Sequence, residues 1–205
     1  MRITFFPGSI VGYVDYPQAI LTRGLAHGLA GLGNDVRIVE ERQNALLTNT
    51  LLTQGAGPSR HFHDNFRQFQ YHTYEPRTGA QLLEWVTREL ALIDVSVAVD
   101  GVEQELCRWL GNITRTGLIR AFLTFDPEGL TDERASALDI DKYDIVIAPG
   151  KPAADVPWSE LPPSVAPADA SPEIQQYLPA GLAEQLVDPN VSATTFEGLI
   201  QVLQR

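Results

Sequence analysis

Cysteine, lysine and positive charge are what this chain has least of. Cys107 is the sole cysteine in 205 residues, so an intrachain disulfide is excluded. It sits on a helical pattern between Leu106 and Trp109, where a small packed hydrophobe in a reducing compartment is the expected role. Lysine is confined to Lys142 and Lys151, and the formal net charge is -11. Wrapping a phosphate backbone or lying on an anionic membrane requires a basic face, so neither a nucleic-acid partner nor a membrane surface is expected, although the arginines leave room for an isolated anion site. No run approaches the roughly 18 apolar residues of a membrane span, and the amino terminus enters a strand without a signal-peptide pattern, which points to a cytoplasmic protein with no membrane span. With 44% hydrophobic residues the chain can bury a full core, and its length fits one domain over residues 1–205.

Several chemical motifs are missing too. There is no HExxH and no second cysteine, and no histidine pair stands at helical i, i+4 spacing to begin a metal site, so no metal is expected. Gly28-Leu29-Ala30-Gly31-Leu32-Gly33 lies at the end of a helical pattern and not between strand and helix, which removes it as a dinucleotide fingerprint. Gly150-Lys151 is followed by Pro152 and lacks the upstream glycine and the Ser/Thr of a phosphate-binding loop. No Gly-x-Ser-x-Gly is present, and the motifs require no cofactor.

What is present is alternation of strands with helices. Residues 2–6 read as a short strand closed by Pro7-Gly8, a loop follows over 8–17, and Ile20, Leu21, Leu25, Leu29 and Leu32 form one apolar stripe of a helix over 18–32. Gly33 ends that helix, and residues 35–40 resume the β pattern with the spacing of a right-handed crossover, so these strands should be parallel. Helices over 44–54, 80–93, 102–110 and 131–138 alternate with strands over 95–99, 118–125 and 143–148, with a short strand at 70–75. The near-continuous apolar run 95–99 suits a strand covered on both faces. Gly55-Ala56-Gly57-Pro58 reads as a stop before an aromatic stretch. A Pro-rich segment, 151–172, leads to two carboxyl-terminal helices over 172–186 and 192–204, the last with Phe196, Leu199, Ile200 and Leu203 on one side. This pattern predicts an α/β fold: a doubly wound, mostly parallel sheet with helices on both faces. The stripe of the last helix must be buried, on its own sheet or against a second subunit or homodimer partner.

In such a sheet, ligands bind outside the carboxyl ends of the strands where strand order reverses. That rule selects Gly8 and Ser9 after the first strand, Asp100 and Gly101 after the fourth, Asp126 after the fifth, and Gly150 and Lys151 after the last. The first loop adds Gly12, Tyr13 and Asp15, offering backbone amides, hydroxyls and a carboxylate together. Asp100-Gly101-Val102-Glu103 also has capping-box spacing, so a helix cap accounts for Asp100 without chemistry. His61, His63 and His72 lie among Phe62, Phe66, Phe69, Tyr71 and Tyr74. His61 and His63 share a face on a strand but splay apart on a helix; general-base work or hydrogen bonding in an aromatic segment are the roles left to them.

Leu29-Ala30-Gly31-Leu32-Gly33-Asn34-Asp35-Val36-Arg37-Ile38 resembles the Leu-x-x-x-Gly-His-x-Val-x-Val run of the amino-terminal, acceptor-side domain of GT-B-fold glycosyltransferases, with Asn34 where histidine is usual. The segments from Ile93 to Gly101 and from Lys142 to Gly150 look like strand ends of that domain. The resemblance implies a Rossmann-like domain that binds a sugar, sugar nucleotide or glycan acceptor, with a catalytic base from its loops, for which Asp15, His61, His63 and His72 are the candidates. Gly8, Ser9, Gly12, Tyr13, Asp100, Gly101, Gly150 and Lys151 would then hold the ligand. The donor domain of that family has no counterpart in this chain, so it implies half of a transferase. Two other classes fit the same pattern: a non-enzymatic α/β binding or assembly module, and a flavodoxin-like nucleotide-binding protein.

Overall fold

Six strands form one all-parallel sheet in the order β3 (Gln70–Tyr74), β2 (Asp35–Glu41), β1 (Arg2–Phe6), β4 (Val95–Val99), β5 (Ile119–Leu123) and β6 (Ile145–Ile147), the Rossmann-like order that reverses direction between β1 and β4. The computed structural model describes residues 1–11, 17–126 and 129–148. The elements are β1 (Arg2–Phe6), α1 (Pro17–Gly31), β2 (Asp35–Glu41), α2 (Ala45–Gln54), α3 (Gly57–Asn65), β3 (Gln70–Tyr74), α4 (Gly79–Glu89), β4 (Val95–Val99), α5 (Gln104–Asn112), β5 (Ile119–Leu123), α6 (Asp132–Ala137), a 3-10 turn over Ile140–Lys142, and β6 (Ile145–Ile147). The Pro-rich segment and the two carboxyl-terminal helices expected from the sequence lie outside the described residues, as does the apolar stripe of the last one.

Alternation along the strands builds two cores. Ile3, Phe5, Val36, Ile38, Val95, Val97 and Val99 face a layer that includes Ala26 and Leu29 of α1, Leu47 of α2 and Phe62 of α3. Phe6, Val39, Ala98 and Phe122 face the opposite layer, with Leu82 and Val86 of α4 and Leu106 and Leu110 of α5. All five residues of β4 are buried, the consequence of a central parallel strand covered on both faces.

Three local outcomes differ from the sequence expectation. On α1 the described buried positions are Ala19, Thr22, Arg23, Gly24, Ala26 and Leu29, whereas Leu32 lies beyond the helix and is 57% exposed. Leu25 and Leu29 of the expected stripe thus pack toward the sheet, and among the described stripe positions Leu32 alone leaves it, because the helix ends at Gly31. Gly55-Ala56-Gly57-Pro58 breaks one helix but also opens the next, because Pro58 at the start of α3 needs no helical N–H partner. At the start of α5 the cap is Glu103, whose carboxylate accepts from the Leu106 amide at 2.8 Å, and not Asp100, which is turned elsewhere. Glu103→Ala is therefore expected to cost about 1 kcal/mol, measurable by urea denaturation, while Asp100→Asn leaves the helix cap itself intact.

Cys107 is buried on α5. Tyr143 donates to its carbonyl at 2.5 Å and lies 3.4 Å from Sγ, and burial pushes the thiol up to about 11. It is a packed hydrophobe, with the thiol held protonated at neutral pH.

Candidate functional site

The carboxyl end of the sheet is organised by a buried carboxylate that sequence reasoning did not single out. Glu40, the penultimate residue of β2, is fully buried. Its Oε1 accepts from Ser9 Oγ at 2.8 Å and Asn44 Nδ2 at 2.9 Å, its Oε2 accepts from the Tyr71 hydroxyl at 3.0 Å, and it is also hydrogen-bonded to the backbone of Ile10. Burial pushes this carboxyl above the ordinary range, and the hydrogen bonds from Ser9, Asn44, Tyr71 and Ile10 pull part of the way back. Asn44 serves two elements, since its Oδ1 also accepts from the Leu47 amide at 2.7 Å and so caps α2. Four pieces of chain, from the β1–α1 loop, β2, the start of α2 and β3, thus meet on one side chain.

This network explains the first loop. Pro7, Ser9, Ile10 and Val11 are all buried, with Ile10 and Val11 part of the core on the α1 side. The described part of the loop is folded onto the sheet, with the Ser9 hydroxyl spent on Glu40. Across the switch point the loops after β1 and β4 touch: a Cβ at Gly8 would lie 2.2 Å from the carbonyl oxygen of Gly101. Gly101 itself has φ +94°, the left-handed backbone that favours glycine.

Next to them, Asp100 ends β4 with its side chain 1% exposed. Its Oδ2 accepts from Thr124 Oγ1 at 2.9 Å and its Oδ1 pairs with Arg134 of α6, which also donates to the Gly129 carbonyl. Asp126 accepts from the Gly129 amide at 2.9 Å, a turn-closing bond. Glu41 points to the α4–α5 side. Burial first, and then the charge of Glu103, raise its carboxyl above the ordinary value, and Glu41 and Glu103 in turn help hold the buried Tyr74 phenol protonated. Since β1 lies between β2 and β4 in the sheet, Glu41 and Glu103 flank the end of β1.

The histidines do not converge. His61 and His63 lie on α3, where a two-residue step splays them: His61 Nδ1 is 3.2 Å from Asn65 Nδ2, and the His63 ring meets Tyr71 edge-on at 5.2 Å. His72 is on β3, where strand alternation sets it on the side of Tyr74, opposite Tyr71. The Tyr71 ring that His63 meets is the one whose hydroxyl donates to Glu40. Gly12, Tyr13, Asp15, Gly150 and Lys151 lie outside the described residues. Among those described, no cluster of three or more His, Cys, Asp or Glu is placed to hold a metal ion, and no helix is long and apolar enough to cross a membrane.

No protein-family model matches the chain, and no curated protein matches it. Among solved structures, it aligns with the acetoin dehydrogenase of Enterobacter cloacae at a TM-score of 0.34 and 15% identity, covering 96% of this chain and 93% of that one. The acetoin dehydrogenase YohF of Salmonella typhimurium aligns at 0.33 and 14%, with the same coverage. At such scores the alignments carry no argument about chemistry. The resemblance to GT-B glycosyltransferases is nevertheless corrected, because no family model or curated protein matches and neither of these two structures is a glycosyltransferase. The residues behind the resemblance are the α1–β2 junction, β4 and β6, segments that every doubly wound domain contains. A glycosyltransferase assignment, with its acceptor sugar and missing donor half, is withdrawn.

Proposed function

We propose that this chain is a binding domain for a ribose-bearing small molecule, a nucleoside or nucleotide, held at the carboxyl ends of β1, β2 and β4. The observation that carries this reading is the reversal of strand order between β1 and β4 with a half-buried carboxylate, Glu41, at the end of β2 beside it. In doubly wound sheets of this order, an acidic group at that position accepts hydrogen bonds from the ribose hydroxyls. Gly8 and Gly101 bring backbone to the crevice without side chains, Ser9 and Glu40 fix the loop, and Asp100, tied to Arg134, sets the far wall. None of the three histidines is given a role.

Charge refines the ligand class. Glu41, Glu103 and Asp126 stand at this end, while Arg42 is paired with Glu75, Arg134 with Asp100, and Arg77 lies over the Trp85 ring. A field of this sign opposes a phosphate on the ribose 2′ oxygen and favours a ligand with a free diol. Calorimetric titration with adenosine, NAD and NADP separates the cases. Adenosine or NAD is expected to bind, NADP to bind at least tenfold more weakly, and Glu41→Gln to weaken the diol ligands. Equal or tighter binding of NADP, or no heat with any of the three, sinks the reading.

A further inference from the structure

The second helix presents a face that the proposed site does not use. Between Arg42 and Arg60 no residue carries a charge, in a chain whose formal net charge is -11. Within this stretch α2 buries only Leu47 and Thr50, leaving Leu51 43% and Leu52 81% exposed. Ala45, Thr48 and Asn49 are exposed on the same helix, and so are Gly55, Ala56 and Gly57 just after it. We propose that this face is where a second copy of the chain docks, α2 against α2 across a twofold axis.

The occupant follows from the charge. Two copies of a chain with net charge -11 repel each other overall, and a twofold contact sets each patch against itself, so any charge near the axis would meet its own like. A self-complementary contact between acidic copies therefore needs an uncharged patch with apolar anchors. The stretch from Gln43 to Ser59 meets that need. A basic partner would instead be drawn to the carboxylates elsewhere. Small residues at 45 and 48, one helical turn apart and one turn before Leu52, let two helices approach closely.

The expected strength is modest. A ten-residue helix is about 15 Å long and with its adjoining turn falls short of the roughly 800 Å² per partner of a standard interface, so the dimer is concentration-dependent. Salt should strengthen it, since screening weakens repulsion between the acidic bodies while the contact itself contains no ion pair to lose.

Sedimentation equilibrium of the full chain tests this over a concentration series at low and high salt. The expected result is a mass rising from 22.6 kDa toward twice that value, more steeply at high salt. Leu52→Glu should stay at the monomer mass and melt where the dilute, monomeric wild type melts. Because Cys107 is buried, Leu52→Cys gives one exposed thiol, and mild oxidation should yield a disulfide-linked dimer. A wild-type monomer at every concentration overturns the proposal, as does dimerisation equal in wild type and Leu52→Glu. A Leu52→Glu chain that melts lower while the wild type stays monomeric also overturns it, because a segment of the same chain then covers the face.

Discussion

Gly8→Ala is expected to cost more than about 3 kcal/mol, or to prevent folding, although it adds a single methyl group. The added carbon would stand 2.2 Å from the Gly101 carbonyl oxygen and 2.6 Å from its carbon, both backbone atoms, so no side chain can rotate aside. Relief requires the loops after β1 and β4 to part. The first is held by Glu40 and the second by the Val102 amide bonded to the Val99 carbonyl at 3.0 Å. Gly8 does not have the positive φ that marks Gly101, so the effect is one of space and not of backbone conformation. Gly31→Ala is the control. Nothing lies within 4 Å of a Cβ there, and at the end of α1 alanine should stabilise by up to about 1 kcal/mol. Thermal denaturation of the two variants decides it: a Gly8→Ala chain as stable as wild type would mean that the loops are not in contact.

Glu40→Ala is expected to be the second severe change, at about 4 kcal/mol. It removes the shared acceptor of Ser9, Asn44 and Tyr71, one bond buried and two part-buried, at about 1–3 kcal/mol for each bond lost, and leaves a cavity where the side chain stood. Glu40→Gln should be milder, because one oxygen acceptor stays and the buried charge is gone. The pH dependence has a definite sign. The folded pKa of Glu40 is raised above its ordinary 4.5, so the native state takes up a proton before the unfolded chain does. Stability therefore rises as pH falls from neutral through the folded value, and the gain is complete below 4.5, with Glu41 contributing in the same direction. Asp94 and Asp144 act oppositely: the Arg2 backbone amide, and then its guanidinium, hold Asp94 below 3.8 and the Arg120 guanidinium does the same for Asp144, and the stability they lend above that value is lost as pH falls through the depressed values. Urea midpoints against pH should climb on mild acidification and then fall. In Glu40→Gln the climb should shrink, and an undiminished climb would show that Glu40 is not its source.

The sheet was legible because strand and helix patterns are local. The runs at residues 2–6 and 95–99 carry their burial in their own composition, and the strand-end rule then points to Gly8, Ser9, Asp100 and Gly101 without further help. Glu40 was not legible for the opposite reason. In Val39-Glu40-Glu41-Arg42 it reads as the polar last residue of a strand, and it becomes buried only when Ser9, Asn44 and Tyr71, up to 31 positions away, close over it. Asp100 and Glu103 show the same limit at shorter range. Either carboxylate could cap α5 by spacing, and the choice falls to Glu103 because Thr124 and Arg134, more than twenty residues downstream, engage Asp100. The family resemblance failed on breadth, since the segments that suggested it belong to doubly wound sheets in general.

The central claim, a ribose-bearing ligand at the carboxyl ends of β1, β2 and β4, is tested most directly by titrating the isotopically labelled chain with adenosine and following backbone amide shifts. The account predicts saturable shifts at Gly8, Glu41, Gly101 and Val102, with Asn34, Asp35 and Asp94 at the opposite end of the sheet unmoved. Shifts gathered around Asn34, Asp35 and Asp94, or a spectrum that adenosine leaves unchanged, would contradict it.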